Sequence, residues 1–142
     1  MIQANELRIG NWVYVDDSPV QITSIDKDGG INHTSGDDGW TVDYWFIYQI
    51  KDIDPIPLTP EILEKAGFDL TPGDLDNDNI SWWMFPDNPA VDLMLREFDK
   101  GKGYDLLDMD YGQIHYDYKI TSFHQLQNLY FALTGEELEI NL

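Results

Sequence analysis

The sequence predicts an α+β protein: a small N-terminal β-barrel of the SH3-like type, then an antiparallel sheet with a capped C-terminal helix. Three observations carry that expectation. The first third of the chain places short runs of β-branched and aromatic residues between closely spaced turn clusters. A proline-rich connector, Asp54-Pro55-Ile56-Pro57, then interrupts the pattern. Near the end, Phe123, Leu126, Leu129, Tyr130 and Leu133 recur at helical spacing ahead of Gly135.

Taken in order, Asn11 to Val15 sets Trp12 and Tyr14 against Val13 and Val15, and Asp16-Asp17-Ser18-Pro19 makes a turn. Val20 to Ile25 alternates again, and Asp28-Gly29-Gly30 is a hairpin signal before Ile31. A second cluster, Ser35-Gly36-Asp37-Asp38-Gly39, precedes the run Trp40 to Ile50. Short strands at this spacing suggest a curled sheet over about residues 7–54. The connector divides the chain into a β lobe at 1–57 and an α+β lobe at 58–142, which could also form one continuous domain.

A helix follows the connector, with Thr59 as N-cap, Pro60 at the first helical position, Glu61 near the positive helix end and Gly67 after the last turn. Residues 69–79 are a polar loop. A meander is expected next, over Ile80 to Phe85, Val91 to Phe98, Tyr104 to Met109 and Gln113 to Ile120. Val91 to Phe98 fits a helical period as well, and is assigned to a strand. In the last strand Ile114, Tyr116, Tyr118 and Ile120 share one face, and His115, Asp117 and Lys119 the other. For the final helix, Ser122 and Gln125 have capping-box spacing and Gly135 stands at the αL cap position. Leu138 and Ile140 suggest a terminal strand.

Composition bounds the function classes. The 142 residues hold 8 Lys+Arg against 27 Asp+Glu, a net charge of −19, with 42% hydrophobic residues. That is an acidic globular chain rather than a disordered acidic tail. Asp outnumbers Glu by 20 to 7, which favours turns and caps as the seat of the charge. With its few cations scattered, the chain is poorly suited to direct nucleic-acid binding or to an anionic membrane. The opening lacks a basic, then apolar leader, and no apolar run approaches the roughly 20 residues of a membrane span, so the expected setting is cytoplasmic. There is no cysteine, which is compatible with the reducing cytosol.

Several constellations invite chemistry. Asp74, Asp76 and Asp78 imitate the start of a calcium loop, but Asn79 replaces its turn glycine and Phe85 stands where a bidentate Glu is needed. A solvated Asx-rich loop is the preferred reading. His115 and Asp117, joined by Asp108 or Asp110 across a hairpin about Gly112, could hold a divalent metal or do acid–base work. No serine lies in a nucleophile elbow, and Gly101-Lys102-Gly103 lacks the helix start of a phosphate loop. Trp82-Trp83 is informative because adjacent strand residues face opposite ways, exposing one indole unless both faces are covered. On the last helix Phe131 falls with His124, Gln127 and Asn128 opposite the apolar stripe, a face suited to a protein partner or a dimer mate.

Three stretches also carry a resemblance: 4–13 (ANELRIGNWV), 56–68 (IPLTPEILEKAGF) and 124–138 (HQLQNLYFALTGEEL). The chain resembles a family of small uncharacterised proteins encoded by phages, prophages and mobile elements of gut Bacteroidetes. The resemblance implies a bacterial cytosolic setting and a mobile-element origin, and brings no activity, ligand or catalytic residue with it. The expectation is therefore a non-enzymatic, acidic protein-interaction module needing no cofactor, with a DNA mimic as its sharper form. Its interaction surface would be built on Trp82, Trp83, His124 and Phe131. The rival readings are a small metal-dependent hydrolase using Asp108, Asp110, His115 and Asp117, and a carbohydrate-binding protein.

Overall fold

The computed structural model describes residues 2, 4–27, 30–35, 40–41, 48–49, 53–71, 81–86, 93–97, 102–108 and 114–142. The protein is α+β, with two antiparallel sheets and a C-terminal helix. It divides into two compact units. One comprises Met1–Ile56 with Phe123–Asn128, the other Pro57–Ser122 with Leu129–Leu142. The partition is not a single cut in sequence, because the first half of the last helix belongs to the first unit.

In the first unit a 3-10 turn at Ala4–Glu6 precedes β1 (Trp12–Val15), β2 (Ser18–Ile25), β3 (Gly30–Ser35), β4 (Trp40–Thr41), β5 (Tyr48–Gln49) and β6 (Ile53–Asp54). The order is β4-β3-β2-β1-β6, with β5 also on β3. Among the described residues this path is open, and the barrel closure expected from the sequence is not part of it. Of the run Trp40 to Ile50, the described residues form β4 and β5, both on β3, and residues 42–47 and 50 lie outside the described set. Alternation does the sorting, because period-two sequence sends Val13, Val15, Val20 and Ile22 inward, where Ile2, Ile31 and Ile53 complete the core. The β1–β2 turn is two residues long, and both Asp16 (φ 49°) and Asp17 (φ 61°) adopt left-handed backbone. That is the twist a tight hairpin requires, taken here without glycine.

In the second unit α1 (Pro60–Lys65) starts as its sequence dictates: Thr59 Oγ1 accepts from the Ile62 amide at 3.3 Å, and Pro60 fills the first position. Gly67, at φ 83°, turns the chain out of the helix. β7 (Asp69–Thr71), β8 (Trp82–Met84), β9 (Leu93–Glu97), β10 (Tyr104–Asp108) and β11 (Ile114–Ile120) follow in the order β11-β10-β9-β8-β7. Within the segment that fits both periods, the described residues 93–97 are a strand. Trp83, Leu95, Leu106, Tyr104 and Ile120 are buried on one face of this sheet.

The last helix, α2, spans Phe123–Thr134. Its C-terminus closes as expected, with Gly135 in αL conformation (φ 74°) donating to Phe131 O at 2.8 Å. Its N-terminus does not. Ser122 is the N-cap residue, yet its hydroxyl is buried without a hydrogen-bond partner, so no capping box forms. Within the second unit, Tyr130 stacks on Phe85 (centroids 6.4 Å apart), which in turn meets Phe68 at 4.9 Å. Leu138 and Ile140, expected in a terminal strand, are buried in irregular chain instead.

Candidate functional site

The polar face of α2 meets the chain's own N-terminal segment within the first unit. Gln127, 1% exposed, engages the backbone with both ends of its amide. Its Oε1 accepts from Trp12 N at 2.9 Å and its Nε2 donates to Gly10 O at 3.1 Å. β6 pairs with Tyr14 and Val15 of β1, and Gln127 supplies the acceptor needed by Trp12 further along the strand. Asn128 follows the same logic. Its Oδ1 accepts from Asn11 Nδ2 (2.9 Å) and Arg8 Nε (3.2 Å), while its Nδ2 donates to Glu6 O (2.7 Å). Asn11 is itself fully buried and takes the Arg8 amide on Oδ1 at 2.7 Å. Two consecutive helical amides thus satisfy a stretch of irregular backbone that neither sheet nor helix could.

His124, one turn earlier on α2, shares this setting but not its satisfaction. It is 2% exposed, and neither ring nitrogen has a hydrogen-bond partner. Glu6 Oε2 lies 3.9 Å from Nε2, near enough for attraction and too far for a hydrogen bond. Burial pushes the imidazole below its ordinary value, and the Glu6 carboxylate only partly offsets this.

The second unit carries a different constellation on the sheet face opposite its buried row. Register aligns Thr71, Trp82, Arg96, Asp105 and Lys119 directly across all five strands. Arg96 Nη2 meets Asp105 Oδ2 at 2.9 Å, and its guanidinium lies 5.9 Å from the Trp82 ring. Asp105 is 1% exposed, and the Arg96 guanidinium is its partner inside the sheet. The adjacent row is Asp69, Met84, Met94, Leu107 and Ile114. On the buried face, Tyr104 lies opposite Glu97, and burial first, then that carboxylate, pushes its phenol up to about 12. Glu97 accepts from Ser81 Oγ at 2.7 Å, and Ser81 Oγ accepts from Trp83 Nε1 at 3.2 Å.

The residues singled out in sequence fare unequally. Trp83 (1% exposed) and His124 are interior, which removes them from any exposed interaction surface. Trp82 is half-buried beside Arg96, and Phe131 is 39% exposed. Asp110, the Asp74–Asp78 loop, and the side chains of Asp108, His115 and Asp117 lie outside the described residues. The backbone around His115 is described, and a register shift runs through it: adjacent Asp105 and Leu106 pair with Lys119 and His115. Unbroken period-two alternation therefore does not run from His115 to Lys119. Among the described residues no three metal-ligating side chains stand together. The sequence reading does not contain the row through Trp82, Arg96 and Asp105, although Arg96 next to Leu95 and Asp105 next to Leu106 place opposite charges in two largely apolar runs. The chain matches no protein-family model, no curated protein and no solved structure.

Proposed function

We propose that the protein is a non-enzymatic, acidic protein-interaction module whose partner presents a basic surface, in the sharper form a DNA-binding protein approached by mimicry of the phosphate backbone. The observation carrying this reading is the net charge of −19, set by 27 acids against 8 cations. Two of the cations face acids, Lys65 beside Glu61 and Arg96 beside Asp105. Asp16, Asp17, Asp54, Glu64, Asp69 and Glu137 are meanwhile exposed. A surface of this kind repels nucleic acid and anionic lipid and attracts proteins evolved to grip phosphates. We read the first sheet as SH3-like, since β1 and β6, first and last in chain order, lie side by side, and the setting as the cytoplasm of a bacterium carrying the phage or mobile element. No helix among the described residues is long and apolar enough to cross a membrane.

The test is capture of partners from a nuclease-treated bacterial lysate, washed across a salt series, with bound proteins identified by mass spectrometry. A basic DNA-binding protein released steeply by salt is the expected result. Capture that is indifferent to salt refutes mimicry, and absence of any specific partner refutes the module.

A further inference from the structure

We propose that His124 is a protonation-operated latch: with a neutral imidazole the first turn of α2 stays packed on the 3-10 turn Ala4–Glu6, and protonation loosens that contact and the clasp beside it. The proposal stands on geometry. The ring is 2% exposed with neither nitrogen hydrogen-bonded, an arrangement less costly for a neutral imidazole than for a cation with two N–H donors. The groups able to serve a cation are already committed. Gln127 is bound to Gly10 O and Trp12 N, and Asn128 to Glu6 O, Asn11 and Arg8. His124 is also the second residue of α2, where the helix dipole opposes positive charge.

The charged groups on the segment against it are Glu6, at 3.9 Å, and Arg8, whose guanidinium sits on Asn128 four residues further along the helix. Glu6 favours the imidazolium, but its side chain is 39% exposed and beyond hydrogen-bond reach. In the latch, the 3-10 turn shifts as that gap closes or as water reaches the ring. The sign follows from burial winning over Glu6: the folded imidazole binds its proton less tightly than the unfolded one. Stability from this residue is complete above the unfolded value of about 6.5 and is lost as pH falls below it, until the folded-state value is passed.

Two measurements test the latch on the intact chain. The midpoints of the three imidazoles are followed by NMR, with His33, His115 and His124 assigned by single His→Gln variants. Hydrogen exchange at residues 8–12 is followed over the same pH range and corrected for intrinsic rates. His124 is expected to titrate below 6.5, and protection of the clasp amides to fall by up to about tenfold per pH unit below that value in the wild type only. A midpoint at or above 6.5, or an equal pH-dependent loss in H124Q, overturns the proposal. Should H124Q fail to fold, E6Q decides through the same titration. Removal of the carboxylate must lower the His124 midpoint further, and an unchanged or raised midpoint refutes the geometry.

Discussion

Gln127→Ala separates a buried clasp from a merely polar helix face. Truncation removes the acceptor of Trp12 N and one of two donors to Gly10 O, the other being Gln21 Nε2 at 3.1 Å. An orphaned buried N–H costs about 1–3 kcal/mol. Loss of the buried side-chain methylene adds about 1 kcal/mol, so the variant should lose about 2–4 kcal/mol. Gly10 O keeps a donor in Q127A and in Q21A but loses both in the double variant, which should therefore exceed the sum of the singles by about 1 kcal/mol. Urea unfolding followed by tryptophan fluorescence reads all four members of the cycle. A loss in Q127A within the roughly 0.5 kcal/mol typical of surface substitutions refutes the clasp, and strict additivity refutes the shared carbonyl.

Further outcomes follow from individual residues. Asp17 holds φ 61° without being glycine, so D17G should stabilise the chain by about 1 kcal/mol, visible as a raised Tm. Gly103, at φ 119°, has Thr121 Cγ2 and Ile120 O at 2.9 and 3.0 Å from any added Cβ, so G103A should lower stability by at least about 1–2 kcal/mol in the same melt. The Tyr104 phenol, held up to about 12, binds its proton more tightly folded than unfolded. Its contribution is present below about pH 10 and lost as pH rises toward 12, so Y104F should flatten the alkaline loss of stability over that window.

What was legible in the sequence is what local physics decides. Thr59-Pro60 starts a helix because the hydroxyl and the ring suit those positions whatever lies around them. Gly135 ends one for the same kind of reason, and Val13, Val15, Val20 and Ile22 face inward because alternation permits little else. The failures involve distance along the chain. Ser122 has the spacing of a capping box, yet its hydroxyl is buried unpartnered. The pleat parity that puts His115, Asp117 and Lys119 on one face is interrupted by a register shift no single-strand pattern encodes.

The polar face of α2 shows why a site is harder to read than a fold. Periodicity separates His124, Gln127, Asn128 and Phe131 from the apolar stripe, and that much is correct as geometry. A polar helix face has three possible neighbours, water, another molecule or the chain itself, and helical period is identical for all three. Residue type discriminates better than period. Solvent-facing helix positions favour Glu, Lys and Arg, whose charges resist burial. An adjacent Gln-Asn pair offers two uncharged amides, each able to donate and accept at once, which is what a stretch of unpaired backbone needs from its cover. The complementary stretch lies 117 residues away for Gln127, at Gly10, where the chain turns with φ 93° into β1. His124 belongs to the same interior but lacks the amides' capacity to satisfy both of its polar atoms there. The clasp is thus built of two groups indifferent to pH and one that is not, and this chemical difference, rather than position on the helix, makes His124 the point at which acid can open it.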